Sequence, residues 1–164
     1  MLFRSLALAE DLQTQFAVTA PPDATRAAAT AELVRDPIVM AGSSDGGAHV
    51  LSFTGADYTT RLLSEWVPDT LSLEQAVSKL TMVPAVVHGL HDRGVVREGA
   101  AADLVVFDPT RLRCTGTRLV HDFPAGAGRY VVGAEGYVAT VVNGEPTFDR
   151  GRYTGALAGQ VLRG

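Results

Sequence analysis

The sequence predicts an α/β fold, an αβ step of a larger barrel followed by a β-rich region, and three observations carry that prediction. Ile38-Val39-Met40-Ala41 is a short apolar run without alternation, the pattern of a strand buried on both faces of a parallel sheet. The run leads into Gly42-Ser43-Ser44-Asp45-Gly46-Gly47, where small residues let the backbone turn sharply and approach a ligand closely. From Asp92 onward the periodicity becomes that of strands, with Leu104 to Phe107 as a compact apolar strand and Gly136 to Val142 as a strand with partial alternation.

Each element can be justified in order. Leu2, Leu6, Leu8 and Ala9 give a brief helical pattern that ends at Glu10-Asp11, and Gln13 to Val18 reads as extended. Pro21-Pro22-Asp23 breaks the chain and starts the alanine-rich helix Ala24 to Val34. Asp23 sits where a negative charge suits the helix dipole, and Arg35 suits its far end. Pro37 stops this helix and admits the strand, predicted over 38–42 with a loop over 43–50. Asp57 is the expected N-cap of a helix Tyr58 to Val67, whose Tyr58, Leu62 and Trp66 would share one buried stripe. A Trp on such a stripe is more often core than a stacking platform.

Ser72-Leu73-Glu74-Gln75 is a capping box, and Leu73, Val77 and Leu80 make the apolar face behind it. Pro84 marks a restarted helix through His88, closed by Gly89. Gly94 and Gly99 supply the open φ values of a tight hairpin before Leu104 to Phe107. Asn143-Gly144 is a favoured two-residue hairpin turn, with Glu145 to Phe148 returning as the partner strand.

Asp45 and His49 are the candidate functional residues, a carboxylate and an imidazole at the end of the predicted strand. In α/β barrels chemistry gathers at that end of the strands. The pattern alone leaves open a plain turn, with Asp45 capping the backbone and His49 as polar surface. His88 and His91 have a chelating H-x-x-H spacing, but no third ligand of fitting spacing is near, and a zinc site needs at least three from the protein. Asp103 reads as structural, its carboxylate taking turn amides. His121-Asp122 resembles an acid–base pair only on paper, because adjacent residues point apart in extended chain.

Composition bounds the function classes. At 164 residues and 46% hydrophobic content, the chain suits one ordinary packed domain. A complete barrel takes roughly 250 residues, more than are present. A net charge of −4 argues against nucleic acid or anionic membrane as partner. The single Cys114 excludes an internal disulfide framework and a Cys-rich zinc module. No apolar run approaches the roughly 20 residues that span a bilayer, and Met1 to Glu10 does not read as a signal peptide, so a cytoplasmic location is expected.

Ser44-Asp45-Gly46-Gly47-Ala48-His49 resembles the loop after the last barrel strand of the metal-dependent amidohydrolase superfamily. Gly42 to His49, read with later strings, resembles its N-acyl-D-amino-acid deacylase (D-aminoacylase) branch. Those strings are Val120 to Arg129, Tyr153 to Ala156 and Gly159 to Arg163, while Leu6 to Phe16 resembles the family's approach to the last barrel strand and Gly94 to Asp108 the point where amidohydrolases leave the barrel. The resemblance implies an α/β fold in which residues 1–91 are the C-terminal part of a TIM-type barrel. Residues 92–164 would then be a small β-rich accessory domain, part of a composite β-sandwich. It implies zinc as cofactor, with Asp45 as metal ligand or close neighbour and as the general base and acid for the attacking water. A related loop in dihydroorotases has the same Asp-to-His spacing, and there the second His binds substrate, which makes His49 a substrate-binding candidate.

The implied reaction is hydrolysis of an amide C–N bond in an N-acyl-D-amino acid or a related small molecule. The family's other metal ligands, a His-x-His and residues of middle strands, have no counterpart before Asp36, and no His precedes His49. The expectation is a C-terminal portion, inactive alone, that needs a missing N-terminal barrel segment or an oligomer partner. Val50-Leu51 stands where the branch has Pro-Arg after the loop histidine, which separates the chain from the pattern at a substrate-facing point. The rival from another class is a non-catalytic association module with a vestigial barrel strand.

Overall fold

The computed structural model describes residues 2–11, 23–42, 44, 46–47 and 56–162. The chain divides into two compact units, Met1–Thr30 and Ala31–Gly164. In the first, α1 spans Leu2–Ala9, as its apolar spacing predicts. Helix α2, Ala24–Arg35, begins where Asp23 Oδ1 accepts the backbone N–H groups of Thr25 at 2.9 Å and Arg26 at 3.3 Å. That side chain satisfies two of the N–H groups a helix start leaves without partners. The predicted extended stretch Gln13 to Val18 lies outside the described residues.

Among the described residues of the second unit, three short helices follow the end of α2 and precede two antiparallel sheets. Helix α3 spans Tyr58–Glu65, α4 Leu73–Leu80 and α5 Met82–Val87. The capping box at α4 is complete, with Ser72 Oγ accepting from Gln75 N–H at 3.2 Å and Gln75 Oε1 accepting from Ser72 N–H at 2.9 Å. Leu62, Leu71 and Ala76 are buried as one cluster, against which Val34, Ala41, Leu63, Trp66, Val67 and Leu80 pack. Trp66 is therefore core. Tyr58 departs from its expected stripe and is exposed, because the cluster takes up the helix only from Leu62 onward. Asp57 does precede the helix, yet makes no side-chain cap; its carboxylate goes to Arg61 at 2.7 Å instead.

The larger sheet has the order β1-β4-β5-β6, formed by Leu104–Phe107, Tyr137–Val142, Glu145–Asp149 and Arg152–Tyr153. Strands β2, Arg113–Val120, and β3, Arg129–Glu135, form a separate hairpin. Asn143 and Gly144, with φ of 50° and 84°, make the turn between β4 and β5 that their residue types call for. At Gly136, φ is +93° and an added Cβ would lie 2.6 Å from the Leu112 backbone, so only glycine allows β3 to pass this closely into β4.

Two expectations are corrected here. Ile38 to Ala41 is no strand. Residues 37–39 bend, Ile38 is 90% exposed, and no described strand pairs with the segment. A parallel strand is held by neighbours on its flanks, and apolar residues without those neighbours have no ladder to join. The second concerns Gly94 and Gly99. Both have φ of +81°, as expected, but they shape bends and turns, and Val96 between them is largely exposed.

Candidate active site

The approach to the loop at Asp45 is fixed by its first residues. Asp36 N–H donates to the Glu32 carbonyl at 3.1 Å, closing the end of α2. The Asp36 side chain then accepts from Ile38 N–H at 2.8 Å, and its carbonyl accepts from Val39 N–H at 3.3 Å. This is a self-bonded Asx turn around Pro37. The Lys79 ammonium, on a side chain only 8% exposed, donates to the carbonyls of Asp36 at 2.6 Å and Val39 at 2.8 Å. Ala41 then packs on the Leu62–Leu71–Ala76 cluster.

Asp45 and His49 lie outside the described residues. Around them, Gly47 has φ of +95°, and a Cβ on Gly46 would meet the Ala56 Cβ at 3.0 Å. The loop thus uses one glycine for its backbone conformation and another for close approach.

The remaining polar candidates are engaged elsewhere. The Asp103 carboxylate accepts from Asn143 N–H at 2.8 Å and is ion-paired with Arg93, whose guanidinium also reaches Asn143 Oδ1 at 3.1 Å. The Asn143 amide hydrogen bond first, and the Arg93 guanidinium after it, hold the carboxyl below the usual range. Its structural role is confirmed. Asp122 accepts two hydrogen bonds at 2.8 Å from Arg129, whose guanidinium lies 5.3 Å from the Phe123 ring centre. His121 Nδ1 donates to the Gly126 carbonyl at 3.0 Å. The two neighbours therefore serve a loop and form no acid–base pair. Burial pushes the Cys114 thiol up, and its Sγ lies 3.9 Å from the Asp57 carbonyl at the start of α3.

His88 and His91 are both exposed, His88 at the C-cap of α5. Among the described residues no group of three His, Cys, Asp or Glu side chains could hold a metal. Asp45 and His49 would add two donors, where zinc takes three or four protein ligands.

Sequence reasoning missed Lys79. It stands about 100° around α4 from Leu80 and off the Leu73–Val77–Leu80 face, so the local pattern did not mark it for burial.

A model of the Amidohydrolase family matches residues 3–148, a span that includes the loop from Gly42 to His49. The chain belongs to the Amidohydrolase family. Three curated relatives come from Alcaligenes xylosoxydans xylosoxydans. N-acyl-D-aspartate deacylase is 39% identical over 92 residues, covering 56% of this chain and 17% of that protein. D-aminoacylase is 38% identical over 104 residues, covering 62% and 20%. N-acyl-D-glutamate deacylase is 53% identical over 51 residues, covering 30% and 10%. The crystal structure of D-aminoacylase aligns with a TM-score of 0.50 and 35% identity, over 63% of this chain and 20% of that one. A second D-aminoacylase structure, which concerns that enzyme's binuclear metal centre, aligns with the same TM-score of 0.50. This amidohydrolase chain spans at most about a fifth of the length of the curated relatives it matches.

Proposed function

We propose that this chain works as part of a zinc-dependent amidohydrolase that cleaves the amide C–N bond of N-acyl-D-amino acids or similar small amides. The observation that carries the reading is the family match across residues 3–148, which takes in the Gly-rich loop with Asp45 and His49. The relatives' acidic and general N-acyl-D-amino-acid substrates support the substrate class. In this reading residues 1–91 contribute to an α/β barrel and residues 92–164 form its β-rich accessory domain.

Asp45 takes a proton from the attacking water as the C–O bond forms. It passes that proton to the leaving nitrogen as the C–N bond breaks, giving a carboxylic acid and a free amine, between which the acid proton then transfers. One carboxylate serves both steps because both atoms lie at the same carbonyl carbon. His49 orients the substrate's own carboxylate. A metal held by donors beyond those described in this chain would, when bound, polarise the carbonyl and acidify the water.

The test is release of free amino acid from N-acetyl-D-aspartate, N-acetyl-D-glutamate and N-acetyl-D-leucine, with the L-forms as controls. It is run on the 164-residue chain alone and on the chain completed by the upstream barrel segment of a relative. Turnover of D-forms together with zinc uptake, only in the completed protein, is expected. Stoichiometric zinc and turnover in a monomer of the chain alone would overturn the partial-enzyme reading. Zinc uptake without any turnover in the completed protein would favour the association module.

A further inference from the structure

We infer that Lys79 is the positioning residue for the loop that carries Asp45, an assignment that rests on the functional reading of that loop. A lysine this deeply buried is unusual, since taking an ammonium from water is unfavourable unless hydrogen bonds replace its hydration. The partners it has are main-chain. Among the described residues no carboxylate pairs with it, and its two hydrogen bonds go to the Asp36 and Val39 carbonyls at 2.6 and 2.8 Å. A lysine that served only the packing of α4 would need no such pair, and an apolar side chain of similar length would fill the same space at less desolvation.

The two carbonyls bracket the Asx turn at Pro37. Asp36 O already accepts from Val39 N–H, so the ammonium joins an existing turn and closes it from the α4 side. Charge-assisted hydrogen bonds of this kind are roughly twice as strong as neutral ones. The donor itself is well fixed. Helix α4 starts at a complete capping box, Ala76 one turn before Lys79 is fully buried, and Thr81 Oγ1 donates to the Val77 carbonyl at 2.8 Å beyond it. Between the end of α2 and Gly42, the chain is therefore held at the Asp36 turn, by Lys79, and by Ala41 on the apolar cluster. The anchored residues, Asp36, Val39 and Ala41, all precede Asp45, and among the described residues Lys79 alone reaches them through hydrogen bonds from a helix other than α2.

Amide hydrogen exchange on the 164-residue chain tests this directly. Lys79→Met should speed exchange at Ile38 and Val39 about fivefold or more while Leu62 and Ala76 keep their protection. Lys79→Arg, which retains charged donors, should restore most of it. Unchanged exchange at Ile38 and Val39, or an equal rise throughout α3 and α4, overturns the assignment. Should Lys79→Met fail to fold, Lys79→Leu, which likewise lacks a donor, is read by the same criteria. In the completed active protein, Lys79→Met should lower kcat and leave KM within about twofold, with recovery in Lys79→Arg. If Asp45→Asn proves fully active, the catalytic reading of the loop fails, and the exchange result alone judges Lys79.

Discussion

The Thr60 hydroxyl and the Tyr137 phenol share a hydrogen bond at 2.9 Å that ties helix α3 to strand β4. Thr60 is 5% exposed, so its hydroxyl has little access to water if the phenol is removed. Tyr137→Phe should cost about 1–3 kcal/mol, the penalty of a buried polar group left without a partner. Replacing both, as Thr60→Val with Tyr137→Phe, should cost less than the sum of the singles. Urea denaturation of the four proteins in a double-mutant cycle measures the coupling, and additive effects would mean that the bond contributes nothing.

Asp103 sets an acid limit on the β-rich region. Its folded-state pKa is depressed, chiefly by the Asn143 amide and then by Arg93, so the folded chain binds fewer protons here than the unfolded chain. The resulting stabilisation is complete above the ordinary aspartate pKa of about 3.9 and is lost as pH falls through the depressed value. Asp103→Asn should therefore lower stability at pH 6 and flatten the decline below about pH 4. Unfolding curves across that range check it, and an unchanged slope would rule out Asp103 as a contributor.

Local chemistry was the legible part of this sequence. The α4 capping box, the Asp23 helix start and the Asn143-Gly144 turn all depend on residues within a few positions of one another, and all form; strand β1 forms too, but on a ladder supplied by distant β4. Ile38 to Ala41 did not follow its pattern, because an apolar run states that burial is favourable without supplying the strands that would provide it. Gly94 and Gly99 show the same division, with φ readable from glycine but pairing set by partners distant in sequence. The role of Lys79 depends on carbonyls some forty positions earlier, |i−j| of 43 and 40, and no local pattern encodes such a contact. For the loop itself, only the glycines can be compared with expectation. Gly47 and Gly46 have the conformation and close approach their residue type permits.

Leu71 should be the most sensitive apolar position near the loop's approach. It is 4% exposed and sits in the cluster with Leu62 and Ala76, against which Ala41 packs. Leu71→Ala removes buried methyl groups and leaves a cavity, an expected loss of about 2–5 kcal/mol. The urea midpoint should fall with the m-value unchanged. A loss under about 0.5 kcal/mol, the range of a surface substitution, would mean that the cluster does not anchor this unit.

The two loop residues should separate kinetically in the completed enzyme. Asp45 is proposed to move the proton, so its charge matters most where bonds are changing. Asp45→Asn keeps the shape and removes the base. It should lower kcat by several orders of magnitude, each tenfold step being about 1.4 kcal/mol of barrier. His49 is proposed to contact a part of the substrate that does not react. That interaction is equally strong in the ground and transition states, so His49→Ala should raise KM and leave kcat nearly unchanged. Steady-state rates on N-acetyl-D-glutamate distinguish the cases. A collapse of kcat in His49→Ala at constant KM would reverse the assignments. An Asp45→Asn rate within about tenfold of wild type would remove Asp45 from the mechanism.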